Sequence, residues 1–144
     1  MAIKGVATIS VDQLSATIKE YLDGFGDEAD YALEKAARTA AEDAVQTLKA
    51  TSPVFSATTY NRTNRKGTKR RRPGKYAKGW RAKTEGYANH LYIIHNATDY
   101  QLTHLLEKGH ALRQGGRSKA IVHIKPVEQQ AIKDFEAYIE EFLV

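Results

Sequence analysis

The sequence predicts an α+β fold, a small antiparallel β-sheet packed against N-terminal and C-terminal helices, with a long basic loop. Three observations lead there. Apolar residues recur at helical spacing near both ends of the chain, over residues 14–48 and 132–142. Between residues 80 and 96 the period changes to two. Residues 54–75 have no apolar period and are rich in Gly, Asn, Thr, Lys and Arg, so they cannot pack a core.

At 144 residues one domain is expected, spanning 1–144. Two loops, at about 54–75 and about 110–119, are expected to be its flexible parts.

Taken in order, residues 2–9 are short and mildly β-prone. Ser10 and Gln13 have the spacing of a capping box. Leu14, Ile18, Tyr21 and Leu22 follow at helical spacing, and Gly24 and Gly26 are expected to end that helix. Residues 27–50 form the longest helix candidate. Ala29, Leu33, Ala36, Ala37, Ala40, Ala44, Val45 and Leu48 draw one stripe, and its alanines let a neighbouring element approach closely. Ser52-Pro53 stops it, because a residue before proline is pushed out of the α region.

From Gly79 the alternation begins. Trp80, Ala82 and Thr84 face one way, Arg81, Lys83 and Glu85 the other. A turn over 86–89 leads to Leu91, Ile93 and His95, alternating with Tyr92, Ile94 and Asn96. This reads as an antiparallel hairpin, with Trp80 packed on the helical layer. Thr98 and Gln101 make a second capping box, Leu102, Leu105 and Leu106 give a short helix an apolar face, and Gly109 should stop it. A polar loop follows, then a short β-prone run at 120–124. Pro126 starts a last helix reaching about Phe142, with Ile132, Phe135, Ile139 and Phe142 as its stripe and Glu128 in its first turn, where a negative charge suits the dipole.

The composition excludes several classes of function. Without cysteine there is no disulfide, thiolate metal site or cysteine nucleophile. The first residues lack the apolar stretch of a signal peptide, and no apolar run reaches the length of a membrane span, so no membrane association is expected. The net charge of +5 hides a split. Residues 52–83 hold 11 of the 22 basic residues and none of the 17 acidic ones. The remainder is net acidic, an asymmetry that points to an interaction surface.

No nucleophile is paired with a base, so no enzyme activity and no cofactor are expected. His104, Glu107 and His110 are spaced by three and three, unlike the four-residue His–His spacing of a helical zinc site. Gly115-Gly116, with Arg113, Arg117 and Lys119, could cradle a phosphate, but a phosphate loop opens a helix and this one leads to a β-prone run. The basic loop concentrates Arg65, Lys66, Lys69, Arg70, Arg71, Arg72 and Lys75 between Tyr60 and Tyr76. Such a run touches nucleic-acid phosphates without reading sequence, or docks on an acidic protein surface.

Several of these residues carry a resemblance. Leu106-Glu107, Gly109, His110, Arg113, Gly115-Gly116-Arg117 and Pro126, with Ser52-Pro53 and Gly74-Lys75-Tyr76-Ala77-Lys78-Gly79-Trp80 upstream, are similar to the pattern of the tail-completion (head–tail joining, neck) proteins of long-tailed bacteriophages. The likeness covers roughly the last two-thirds of the chain; the basic loop is longer than that family's link. It implies a structural virion protein, made in the host cytoplasm, that completes the tail or head–tail junction. It also implies a homo-oligomeric ring, a hexamer, stacked between head-completion or connector proteins and the tail tube or tail terminator, with transient contact to genomic DNA. His110, Arg113, Gly115, Gly116, Arg117 and Lys119 would form the docking loop, and the basic loop would meet the connector or DNA. The alternative is a sequence-nonspecific nucleic-acid-binding protein acting through the basic loop.

Overall fold

A computed structural model describes residues 11–54, 73–85 and 91–143. Its elements are α1 (Val11–Thr51), α2 (Lys75–Lys78), β1 (Trp80–Thr84), β2 (Tyr92–Asn96), α3 (Leu102–Lys108) and α4 (Ile124–Leu143). The α+β expectation holds: β1 and β2 pair antiparallel, and helices from both ends of the chain pack together beside them.

The two helices expected before Ser52 are one. α1 runs for 41 residues through Gly24 and Gly26, about 61 Å at the α-helical rise. Each glycine costs only about 1 kcal/mol relative to alanine, and the flanking turns are rich in helix formers. The capping residue proposed at Ser10 lies outside the described residues.

The core forms where the alanine stripe of α1 meets α4 and the sheet. Ala44, Val45 and Leu48 pack with Tyr76, Trp80 and Val127, and Ala82, Ile94, Leu102, Leu106 and Ala131 close around them. Burying Leu48 or Val127 contributes about 1.5–3 kcal/mol each. α4 lies antiparallel to α1: Val127 sits by Leu48, the Tyr138 hydroxyl donates to Asp43 Oδ2 at 2.6 Å, and Lys35 Nζ stands 4.0 Å above the Phe142 ring. α4 has 20 residues, about 30 Å. It therefore covers only the C-terminal half of α1. Val127 is the buried residue of α4, Ala131, Phe135, Tyr138, Ile139 and Phe142 are half-buried, and Ile132 turns outward at 54 % exposure.

The hairpin register places Trp80 opposite Asn96, Ala82 opposite Ile94 and Lys83 opposite Ile93. Trp80, Ala82 and Ile94 face the helices, as the alternation requires. The connecting turn at 86–90 lies outside the described residues. Behind the hairpin, Asn96 is almost completely buried. Its Nδ2 donates to the Tyr76 carbonyl at 2.8 Å, and its Oδ1 accepts the N–H groups of Thr98 and Asp99. Gly79 lies against this cluster: a Cβ there would overlap Thr98 Oγ1 and Asn96 Oδ1.

Three local expectations change. Thr98 does not cap α3; its hydroxyl lies 3.0 Å from Asn96 Oδ1 and 3.1 Å from the Lys75 carbonyl, and α3 begins at Leu102 without a side-chain cap. Residues 120–123 are not a strand: the Ile121 N–H donates to the Leu106 carbonyl and the His123 N–H to the Glu107 carboxylate, both on α3. α4 begins two residues before Pro126, so Glu128 lies beyond its first turn.

Candidate assembly surfaces

α3, the loop that follows it and the start of α4 are tied together by one side chain. The Glu107 carboxylate accepts the N–H of His123 at 2.8 Å and of Ile124 at 2.9 Å on Oε2, and of Lys125 at 3.0 Å on Oε1. A helix start leaves its first N–H groups without intrahelical acceptors. Here Glu107 satisfies three, and the next residue, Pro126, has no N–H. A carboxylate at this place also meets the positive end of the helix dipole. Burial pushes the Glu107 pKa up, but the three backbone N–H groups and nearby His123 outweigh it and hold the pKa below the usual carboxylate value.

His123 is buried. Its Nδ1 lies 2.7 Å from the Ile121 carbonyl and 3.2 Å from Glu107 Oε2, both acceptors, so this nitrogen carries the proton. Nε2 then accepts from the Tyr76 hydroxyl at 2.8 Å. Tyr76, Trp80 and His123 meet edge to face, with centroids 5.6–6.3 Å apart. The Trp80 indole N–H donates to Ser52 Oγ at 2.7 Å, which ties the end of α1 to the hairpin. Burial, then the negative charges of Glu107 and Asp99, raise the Tyr76 pKa well above that of a free tyrosine.

From this anchored base the loop at 110–119 stands out into solvent. Gly109 ends α3 at φ +70°, and a Cβ there would come within 2.5 Å of the Ser118 carbonyl. The loop closes on itself. Ser118 N–H donates to the His110 carbonyl at 2.8 Å, and Ala111 bridges Arg117. Leu112 N–H donates to the Gly116 carbonyl and Gly115 N–H to the Leu112 carbonyl, each at 3.0 Å. Gly115, at φ +92°, supplies the left-handed residue that a three-residue hairpin loop requires. Ser118 Oγ accepts the His110 N–H and lies 2.9 Å from His110 Nδ1, and Arg117 donates to the Gly109 carbonyl at 3.2 Å. Thus His110, Arg113, Gly115, Gly116, Arg117 and Lys119 are gathered on one small hairpin, all exposed.

The other predicted surface is only partly described. Arg65, Lys66, Lys69, Arg70, Arg71 and Arg72 lie outside the described residues. Lys75 lies exposed on α2, and Lys78, Arg81 and Lys83 continue the exposed cations into β1.

Among the described residues no group of three or more His, Cys, Asp or Glu could hold a metal ion. Glu107, grouped with His104 and His110 by spacing, spends its oxygens on the start of α4. An apolar groove of about 700 Å³ lies between α1, the sheet and α4, lined by alanines of α1 with Trp80, Tyr92, Ile132 and Phe135. Its charged groups are Glu128 and Glu136, both exposed. No described helix is long and apolar enough to cross a membrane.

Sequence reasoning missed the tie from Glu107 to α4 and the burial of His123. The signal for the first was present: an acidic residue just before the glycine stop of one helix, and a second helix whose third residue is proline.

Comparison with known proteins gives one match. A family model described as "Bacteriophage HK97-gp10, putative tail-component" matches residues 12–109. No curated protein and no solved structure matches. The matched segment runs from the start of α1 to the glycine that ends α3. It therefore includes the N-terminal helix, which lies outside the last two-thirds that carried the sequence likeness, and stops before the Gly115-Gly116 loop. Two-thirds of the chain lies inside the match, and the chain belongs to the HK97-gp10-like family of phage tail components.

Proposed function

We propose that this chain is a ring subunit that completes the head-proximal end of the tail, where it forms the junction between a DNA-filled head and the tail. The chain acts as one domain over residues 1–144. Copies of it, six by the family likeness, close by heterologous contacts around the tail axis. The ring stacks between a head-completion or connector ring on one side and the tail tube or terminator on the other.

The observation that carries this reading is the cationic hairpin at 110–119, exposed yet anchored through Glu107 to the rigid start of α4. A projection with its own hydrogen bonds and a fixed base suits docking on a neighbouring ring. Holding the hairpin in place beforehand lowers the entropy lost on contact.

The test uses Arg113→Glu with Arg117→Glu. Purified wild-type protein added to a lysate lacking the subunit should join heads to tails, and the folded double variant should not. Full joining by the variant would remove the hairpin from the interface.

The exposed cations Lys75, Lys78, Arg81 and Lys83 support a second reading, contact with DNA phosphates in the channel. It predicts binding of the lone subunit to plain duplex with a steep salt dependence. The joining reading predicts little such binding.

A further inference from the structure

α1 extends far beyond the body that it helps to build. α4 reaches only to Lys35, where Phe142 lies under the lysine ammonium. Among the described residues α1 stands alone on the N-terminal side of that point: from Gln13 to Tyr31 only Thr17 and Ala29 are even half-buried. This arm carries an apolar stripe. Leu14, Ile18, Leu22 and Phe25 are 47–60 % exposed, and Tyr21 beside them is 78 % exposed. Their spacing continues, turn by turn, the row that leads through Ala29, Ala32 and Ala36 into the buried face of α1. A helical row that is core for half its length and bare for the rest is an interface without its partner.

Charge identifies the partner. Residues 11–31 carry six carboxylates, Asp12, Glu20, Asp23, Asp27, Glu28 and Asp30, against the single Lys19. On the same chain, α2 and β1 present Lys75, Lys78, Arg81 and Lys83, all exposed. Arg81 and Lys83 stand on the sheet face opposite Trp80 and Ala82, with Ile93 and His95 across from them on β2. That face offers one apolar side chain and the aliphatic stems of two long cations, a surface on which an amphipathic helix can lie.

We infer that the acidic, apolar-striped arm of α1 docks on the basic α2–β1 face of a second copy of this chain. The contact is heterologous, since arm and face are different patches, and contacts of that kind build a ring where the rotation between copies closes. The inference rests on the ring reading above and specifies which surfaces meet. Pairing of two arms along their stripes is the less favourable arrangement, because it opposes two surfaces of like charge.

The test is a charge swap in the full-length chain, read by sedimentation velocity at low salt. Asp23→Lys with Asp27→Lys reverses the arm, and Lys78→Glu with Lys83→Glu reverses the face. All four side chains are exposed, so both variants should fold, which circular dichroism checks. Wild-type protein should self-associate, and raising the salt should weaken it. Each variant alone should lose association at least tenfold. An equimolar mixture of the two should regain it, since the reversed arm of one matches the reversed face of the other.

Carboxylate–amine cross-linking of a ¹⁴N/¹⁵N mixture of wild-type protein should join arm carboxylates to Lys75, Lys78 or Lys83 of the other isotope. Association without these links, or with links from Lys19 to a carboxylate of another arm, would overturn the inference while leaving the ring reading intact. A wild-type chain that stays monomeric and forms no mixed-isotope links at all would also overturn it, assigning the stripe to a different protein. The ring reading would then be judged separately, on the ability of that protein to join heads to tails.

Discussion

The carboxylate of Glu107 sits on the first turn of the helix that begins seventeen residues later, accepting the N–H of Ile124 at 2.9 Å together with those of His123 and Lys125. Glu107 and Ile124 thereby fix the two ends of the loop between them. The hairpin at 110–119 inherits its position from this bond set.

Removing the carboxylate should loosen both helix and hairpin. Glu107→Ala leaves three N–H groups, two of them partly buried, without their acceptor and should cost about 2–3 kcal/mol. Glu107→Gln keeps one acceptor oxygen and should cost about 1 kcal/mol. Urea midpoints of the purified variants measure both. Equal stability of wild type and Glu107→Ala would mean that the clamp does not contribute.

The same group sets a pH dependence. The pKa of Glu107 in the folded chain lies below its ordinary 4.5. The unfolded chain therefore takes up the proton first as pH falls. The contribution of Glu107 is fully present above the ordinary value and is lost as pH drops through the lower, folded value. Stability measured from pH 7 down to pH 3 should fall less steeply in Glu107→Gln than in wild type.

Tyr76 should ionise later than a free tyrosine in the folded protein, because burial and the charges of Glu107 and Asp99 oppose a phenolate there. A spectrophotometric titration of Tyr76→Phe should lack one late-ionising tyrosine present in wild type. Because His123 Nε2 loses its donor, that variant should also be less stable by about 1–2 kcal/mol.

Glycines should divide by environment. Gly79→Ala forces a methyl group into Thr98 Oγ1 and the buried Asn96 and should cost about 1–3 kcal/mol. Gly24 and Gly26 have open space around them in the exposed arm. Alanine at each should stabilise the arm by about 1 kcal/mol, seen as slower hydrogen exchange over residues 20–30. Unchanged exchange there would mean that the arm is already held by another contact.

The sequence made some of this legible and not the rest, for identifiable reasons. The β1–β2 hairpin was readable because alternation over five residues leaves one face apolar, and Trp80 lies where that face predicts. Gly109 was readable as a stop because a residue at φ +70° is nearly always glycine. Gly24 and Gly26 misled, since a glycine lowers helix stability without ending a helix unless something competes for the chain. Thr98 misled because its hydroxyl had a better use beside Asn96, a partner that no local pattern reveals. The Glu107 tie and the Tyr76–His123 pair span 16 and 47 residues, beyond the reach of periodicity. The residues of the 110–119 hairpin could be grouped from the sequence, but its shape depends on hydrogen bonds between its two sides.

The central claim is that this tail component joins heads to tails, and deletion of its gene from the parent phage tests that most directly. Electron microscopy of the lysate should show DNA-filled heads and separate tails, and adding purified protein should restore infectivity. Intact virions in the absence of the gene would contradict the account.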